Sequence, residues 1–289
     1  MRNTFRPTIT LALLAGMSLP AQAERLGSLG LSYSNHAGES LDDDLRETSH
    51  GLTLDYSIGW TFAEKHRVIV DALYRTDTYS PEMAVGDPYG DQAQIGLHYQ
   101  YSLSDRLSLG VFGAHGRADH DDPREDYIVN FVGIEGIYDA GNDVTFFAQL
   151  GSVDSPNSEE QSSSGYDSGQ IYRLGIAYTG LERTSILFDI ELGQSKEYED
   201  SDEPGDFLVV GLSGETLLKT NPSWSINYGV RFGSYDARND PDRIKETTVT
   251  IGARYNFGRV RGNVHRVEDG LIGLPYTPLR ASAWTPALD

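Results

Sequence analysis

The chain has 289 residues, no cysteine, 23 basic against 43 acidic residues, a formal net charge of −20 and a mean hydropathy of −0.41. The lack of thiols removes the disulfide-stapled class of exported domains, and the acidity makes nucleic acid a very poor partner. No segment beyond the N-terminus supplies the roughly 20 consecutive apolar residues of a transmembrane helix, but alternating strands average to a polar hydropathy and stay open as a way across a membrane.

The chain opens with Arg2 and Arg6, continues through the apolar run Leu11 to Met17, and reaches Ala21-Gln22-Ala23 before Glu24. This is the layout of a secretory signal peptide with a small-residue cleavage site, so residues 1–23 read as a signal and the mature chain as starting at Glu24. A membrane anchor is the weaker reading, because the apolar run from Ile9 to Leu19 is too short to cross a bilayer.

From Glu24 onward, apolar residues recur at every second position, which places them on one face of a strand. The expected outward sets begin with Leu29, Leu31 and Tyr33, then Leu52, Leu54, Tyr56, Ile58 and Trp60, then Val68, Val70, Ala72 and Tyr74. Ala93, Ile95, Leu97, Tyr99 and Tyr101 follow, then Leu107, Leu109, Val111 and Gly113, then Ile128, Val132, Ile134 and Tyr138. The second half supplies Val144, Phe146, Ala148 and Leu150, then Tyr172, Leu174, Ile176 and Tyr178, then Ile186, Phe188, Ile190 and Leu192. Leu208, Val210 and Leu212 come next, then Trp224, Ile226, Tyr228, Val230 and Phe232. Thr247, Val249, Ile251, Ala253, Tyr255 and Phe257 form the last set. The pattern predicts an all-β, up-and-down antiparallel transmembrane barrel of about 12 strands, with 10 or 14 as alternatives, each near the 9 to 11 residues a tilted membrane strand needs. Tyr33, Trp60, Tyr74, Tyr101, Tyr138, Tyr178 and Trp224 fall near strand ends, where aromatic girdles lie.

The connections alternate in length. Thr61 to Lys65, Leu103 to Arg106, Asp139 to Asp143, Gly180 to Arg183 and Leu217 to Ser223 are short, with turn residues such as Ala140-Gly141-Asn142-Asp143 and Asn221-Pro222. Asn35 to Ser49, Asp77 to Asp91, Ala118 to Asp126, Asp154 to Gly169, Ser195 to Asp206 and Asp236 to Arg243 read as long polar loops.

The positions between the apolar ones point inward. They include Asp55, Arg67, Asp71, Arg75, Gln94, His98, Gln100, Arg173, Asp189, Glu191, Glu215, Arg231, Glu246 and Arg254. In a wide lumen these charges line a wet channel with a transverse field; in a narrow one they pair across it and close it. Twelve strands enclose more space than the eight-stranded case, whose side chains fill the interior, which favours a pore. The long loops concentrate acid at Asp42-Asp43-Asp44, at Asp119-His120-Asp121-Asp122 with Glu125-Asp126, and from Glu197 to Asp206. No ordered calcium loop is matched, because Pro204 stands where a ligand belongs and Gly211 where a bidentate Glu would be, so these acids read as a solvated, cation-attracting mouth. Neither rim histidine, His50 or His115, has the Ser and acid of a hydrolase at a workable spacing, and His120 between two aspartates reads as solvated.

Signal peptide, dyad strands, alternating connections and the closing Tyr255-Asn256-Phe257 together resemble a Gram-negative outer-membrane β-barrel protein, porin-like in architecture. The resemblance implies a place in the bacterial outer membrane among lipid and lipopolysaccharide, and assembly machinery that reads Tyr255 and Phe257. The expected domains are the signal at 1–23, the barrel at 24–257 and a periplasmic tail or plug at 258–289. The tail departs from relatives that end on the closing Phe: it carries Arg259, Arg261, Arg266 and Arg280, and Pro275, Pro278 and Pro286 argue against another strand. It reads either as a loosely docked tail or as a plug whose arginines face lumenal carboxylates. The expected function is a passive, cation-favouring channel for small hydrophilic solutes, with no cofactor and no reaction. A closed barrel binding envelope partners is the alternative, and a rim-site hydrolase the third reading.

Overall fold

A computed structural model describes residues 24–40, 46–79, 89–118, 127–154, 168–195, 204–237 and 243–258. The signal-peptide reading, the acidic clusters from Asp42 to Asp44 and Asp119 to Asp126, and the tail after Gly258 lie outside them. The described residues form strands β1 (Glu24–Ser40), β2 (Arg46–Phe62), β3 (His66–Tyr79), β4 (Tyr89–Ser102), β5 (Leu107–Ala118) and β6 (Tyr127–Gly141). They continue with β7 (Val144–Asp154), β8 (Ser168–Leu181), β9 (Thr184–Ser195), β10 (Gly205–Leu217), β11 (Trp224–Ala237) and β12 (Arg243–Gly258). Each pairs antiparallel with its neighbours in sequence, and β1 pairs with β12 to close the barrel. The expected twelve-stranded, up-and-down architecture is what the chain adopts.

Period-two patterning decides which face is which. Exposure alternates along most strands, as in Val144–Asp154, where Thr145, Phe147, Gln149 and Val153 are buried while Phe146 and Leu150 are exposed. Leu31, Leu97, Val132, Leu174, Val249 and Ile251 are more than half exposed on the outside, an apolar surface that suits lipid and not water. Two outward positions differ: Ile58 and Trp60 keep outward parity but are only 7% and 6% exposed, so Trp60 does not present an open girdle ring.

The strands run farther than the apolar pattern predicts. Pairing of β1 with β2 continues from Tyr33↔Leu52 to Glu39↔Arg46, adding about 20 Å of ladder above the apolar band. Backbone pairing needs only a partner strand, so it persists where side chains on both faces have turned polar. At the other end the connections are tight. Asn142 and Asp143 take φ of 53° and 62°, the left-handed pair that a two-residue hairpin turn requires and that Asn and Asp tolerate. The Asp139 carboxylate accepts a hydrogen bond from the Gly141 amide at 2.7 Å in the same turn.

The seam between first and last strands is held on its outer side by aromatics. Gly27 lies between Ile58 and Phe257 in register, and having no side chain it lets the Phe257 ring reach Tyr56 on β2, 6.2 Å between centroids. Tyr255 packs against Trp224 at 5.3 Å. The outer apolar band is testable by its alternation. Leu174→Arg, facing outward, is expected to destabilise the folded barrel by about 2–4 kcal/mol in lipid, whereas Thr250→Arg, facing inward, costs less. Urea titration in liposomes, read by heat-modifiable gel mobility, measures both; equal costs contradict the assigned faces.

Candidate functional site

Inside the barrel, register decides which polar side chains meet. Gln100, Gly110, Glu135, Gln149, Arg173 and Glu191 are successive cross-strand partners from β4 to β9. A row along the hydrogen-bond direction is also a row of neighbouring side chains. Gln100 donates to Glu135 Oε1 at 2.6 Å across Gly110, where an added Cβ would meet the Gln100 side chain. Gln149 donates to Glu135 Oε2 at 3.1 Å and accepts from Arg173 at 3.3 Å. The chain of bonds then continues from the Arg173 guanidinium to Asp189 at 3.1 Å, and from Asp189 to Arg231 at 3.3 Å. Asp189 and Arg231 both oppose Gly211, so they meet over a position that has no side chain. At the other end His98 sits between Glu135 (2.8 Å) and Asp71 (3.0 Å).

This belt is clamped between apolar layers. On the side of the long loops lie Phe112, Val129, Phe131, Val153, Ile171, Phe207 and Val209; towards the short turns lie Ile137, Phe147 and Ala177. The His98 ring stacks on Phe112 at 5.8 Å, and the Arg173 guanidinium stands 5.1 Å over the Phe147 ring. The aromatic faces fix the orientation of the charged groups, and burial between them strengthens every bond in the belt.

Two further clusters occupy the opposite wall. Near the short turns, Arg254 bonds Glu215 at 2.8 Å and Asp55 at 2.9 Å, reaching Asp55 over Gly30, which opposes both residues in register. Ser225 and Asn256 donate to the other Glu215 oxygen, Oε1, at 2.5 and 3.3 Å. Near the long loops, Arg75 pairs with Asp77 at 2.6 Å and bonds His36, whose other ring nitrogen reaches Thr248 at 2.7 Å and Glu246 at 3.1 Å.

Every residue expected to face the lumen has inward parity: Asp55, Arg67, Asp71, Arg75, His98, Arg173, Asp189, Glu191, Glu215, Arg231, Glu246 and Arg254. Arg75, His98, Arg173, Asp189, Glu191, Glu215 and Glu246 are buried and the rest are half-buried. Free rows of opposed charge, the arrangement of a wide wet channel, are replaced in all three clusters by direct ion pairs. Sequence reading missed Glu135, Gln149, His36 and Asp77. Parity alone points to Glu135 between Ile134 and Gly136, and to Gln149 between Ala148 and Leu150; His36 and Asp77 were hidden because their strands extend into stretches that read as loops. His50 and His115 face outward, bonded to Tyr33 and Asn35 and to Asn130, with no serine or carboxylate among these partners. Among the described residues no His, Asp or Glu group is arranged to hold a metal.

No family model and no curated protein matches the chain. Solved structures that it is similar to are outer-membrane β-barrels. The translocator domain of the autotransporter NalP from Neisseria meningitidis is 13% identical over 86% of this chain and 93% of that chain, with a TM-score of 0.48. A KdgM porin in complex with disordered oligogalacturonate is 11% identical over 79% of this chain and 99% of that one, with a TM-score of 0.48. The β domain of the Bordetella autotransporter BrkA is 14% identical over 80% and 100%, also at 0.48.

The seam cluster gives a sharp test of the pairing. Arg254→Leu leaves Asp55 and Glu215 without their shared cation inside the barrel and is expected to cost about 3–5 kcal/mol. Adding Asp55→Asn and Glu215→Gln to that variant is expected to recover most of the loss; urea unfolding of the three proteins in liposomes would reveal no recovery if the pairs are incidental.

Proposed function

We propose that the chain spans the bacterial outer membrane and acts as a channel for passive diffusion of small hydrophilic solutes, with a preference for cations. The observation that carries this reading is the difference in polarity across one sheet: lipid-compatible side chains outside, and charged side chains of both signs among those facing the lumen. Carboxylates outnumber guanidiniums among the described inward residues, and an acidic lining lowers the energy of a passing cation. The outward exposure of Tyr255 and the part-exposure of Phe257 on the closing strand support reading this pair as the signal for assembly machinery.

The burial of the belt favours a second reading, a barrel closed at that level whose partners bind at its ends. Buried, mutually bonded charges give a solute no row of free groups to follow. Both readings are free of chemistry, and no cofactor is part of either.

Refolded protein in a planar bilayer under a KCl gradient separates them. Stepwise conductance with a cation-selective reversal potential is expected, and Glu191→Gln with Glu135→Gln is expected to move that potential towards zero. Silence from protein shown to be folded by heat-modifiable mobility removes the channel and leaves the closed barrel.

A further inference from the structure

The charged clusters inside the barrel are paired; two amides beside them are not. Gln92 and Gln94 lie two residues apart on the inner face of β4 and are only 5% and 8% exposed. Gln92 Oε1 lacks a donor and Gln94 Nε2 lacks an acceptor. A buried amide atom left unbonded lowers stability, so two of them on neighbouring inward positions call for a ligand that completes them. The wall next to them is low. Gly116 of β5 opposes Gln94, and Ala114 of β5 opposes Gly96, the next inward position on β4. Leu73 and Asp71 of β3 flank this floor on one side, and Val129 and Phe131 of β6 on the other. Asp71, Leu73 and Ala114 are part-exposed, which opens this stretch of wall to the lumen. Towards the short turns it is closed by the stacked rings of His98 and Phe112, which oppose each other in register.

We propose that this recess is a subsite for an uncharged, hydroxyl-bearing solute of the saccharide class, and that Gln92 and Gln94 select it. The assignment rests on reading the lumen as a solute path and names the class of solute. One amide offers an acceptor and the other a donor, and a hydroxyl is the simple group that both donates and accepts. Same-face positions on a strand are about 7 Å apart, a span that two hydroxyls of one sugar bridge between long side chains. A cation leaves the Gln94 donor unmet, and an anion leaves the Gln92 acceptor unmet. Neither ion finds a free counter-charge close by, because Asp71 is held by His98 at 3.0 Å and Arg75, opposite Gln92, by Asp77 at 2.6 Å. Leu73, Ala114 and Val129 provide apolar contact for the C–H face of a ring, and Gly96 and Gly116 leave it room.

The test reads binding and not passage. A silent bilayer therefore removes the channel and leaves this site standing, while a conducting protein that binds no saccharide removes the site alone. Folded full-length protein in lauryldimethylamine oxide micelles is titrated calorimetrically with maltotriose. Trigalacturonate and glucosamine trimer, at a mildly acidic pH that keeps the amines charged, serve as anionic and cationic counterparts. Saturable heat from maltotriose is expected, with weaker binding of both charged trimers. Gln92→Leu with Gln94→Leu is expected to lower maltotriose affinity at least about tenfold through the lost hydrogen bonds. The same variant keeps or raises the urea midpoint, because an unpartnered buried amide replaced by an apolar side chain of similar size gives up no bond. Ala114→Leu fills the recess with both amides in place and is expected to weaken binding likewise. Absence of saturable heat from maltotriose means that water completes the amides. Tighter binding of a charged trimer contradicts the solute class, and binding that both variants keep lies elsewhere. A double variant that unfolds more readily shows that the amides are bonded within the wall; each of these outcomes overturns the proposal. Heat-modifiable mobility checks folding throughout.

Discussion

A sheet edge inside a bilayer has nothing to bond to, and each unpaired N–H or C=O in hydrocarbon costs several kcal/mol. In this chain β1 and β12 remove both edges by pairing from Leu26↔Gly258 to Ser40↔Ile244. Everything else is arranged around that closure. β1 begins at the end of the barrel where β12 finishes, so the seam is antiparallel and the strand count is even. The outer aromatics around Gly27, Tyr56 and Phe257 reinforce the seam where the two ends of the sequence meet.

Closure creates an interior, and the interior must then be filled or wetted. The chain fills much of it with groups that are individually costly to bury. A buried ion pair contributes little net stability against an apolar substitute, but breaking one is expensive, so the belt and the seam cluster hold the lumen in one arrangement. The device that permits this is the inward glycine. Gly30, Gly110 and Gly211 each stand between two long polar residues on the flanking strands, and each missing side chain lets those residues bond across three strands, as charge pairs at Gly30 and Gly211 and as an amide–carboxylate bond at Gly110. The same gap on the outer side at Gly27 serves an aromatic pair.

The same interior carries the functional question. Charged groups lining a barrel attract ions, while charged groups paired across it exclude them, and the chain shows both tendencies on different walls. The β5 to β10 wall is a packed core in three layers, apolar, charged and apolar. The opposite wall carries the two separate clusters around Arg254 and His36, with short polar residues such as Ser32 and Thr53 between them.

Sidedness and a strand number of about 12 were legible in the residues themselves, because a strand's period is two and lipid tolerates only one of its faces. Leu29-Gly30-Leu31 or Tyr172-Arg173-Leu174 announces its outward residues without any partner strand. Strand length was less legible, since the ladder of β1 and β2 outlasts the apolar band and depends on pairing alone. The side-chain network was not legible at all. Arg254 is separated from Asp55 by nearly the whole barrel sequence, and only closure brings them to 2.9 Å; Glu135 and Arg173 join one belt only because register aligns them with Gln149. Parity is a local property that a sequence carries on its face, whereas register and closure are relations between distant strands, and these decided which charges inside this barrel became partners.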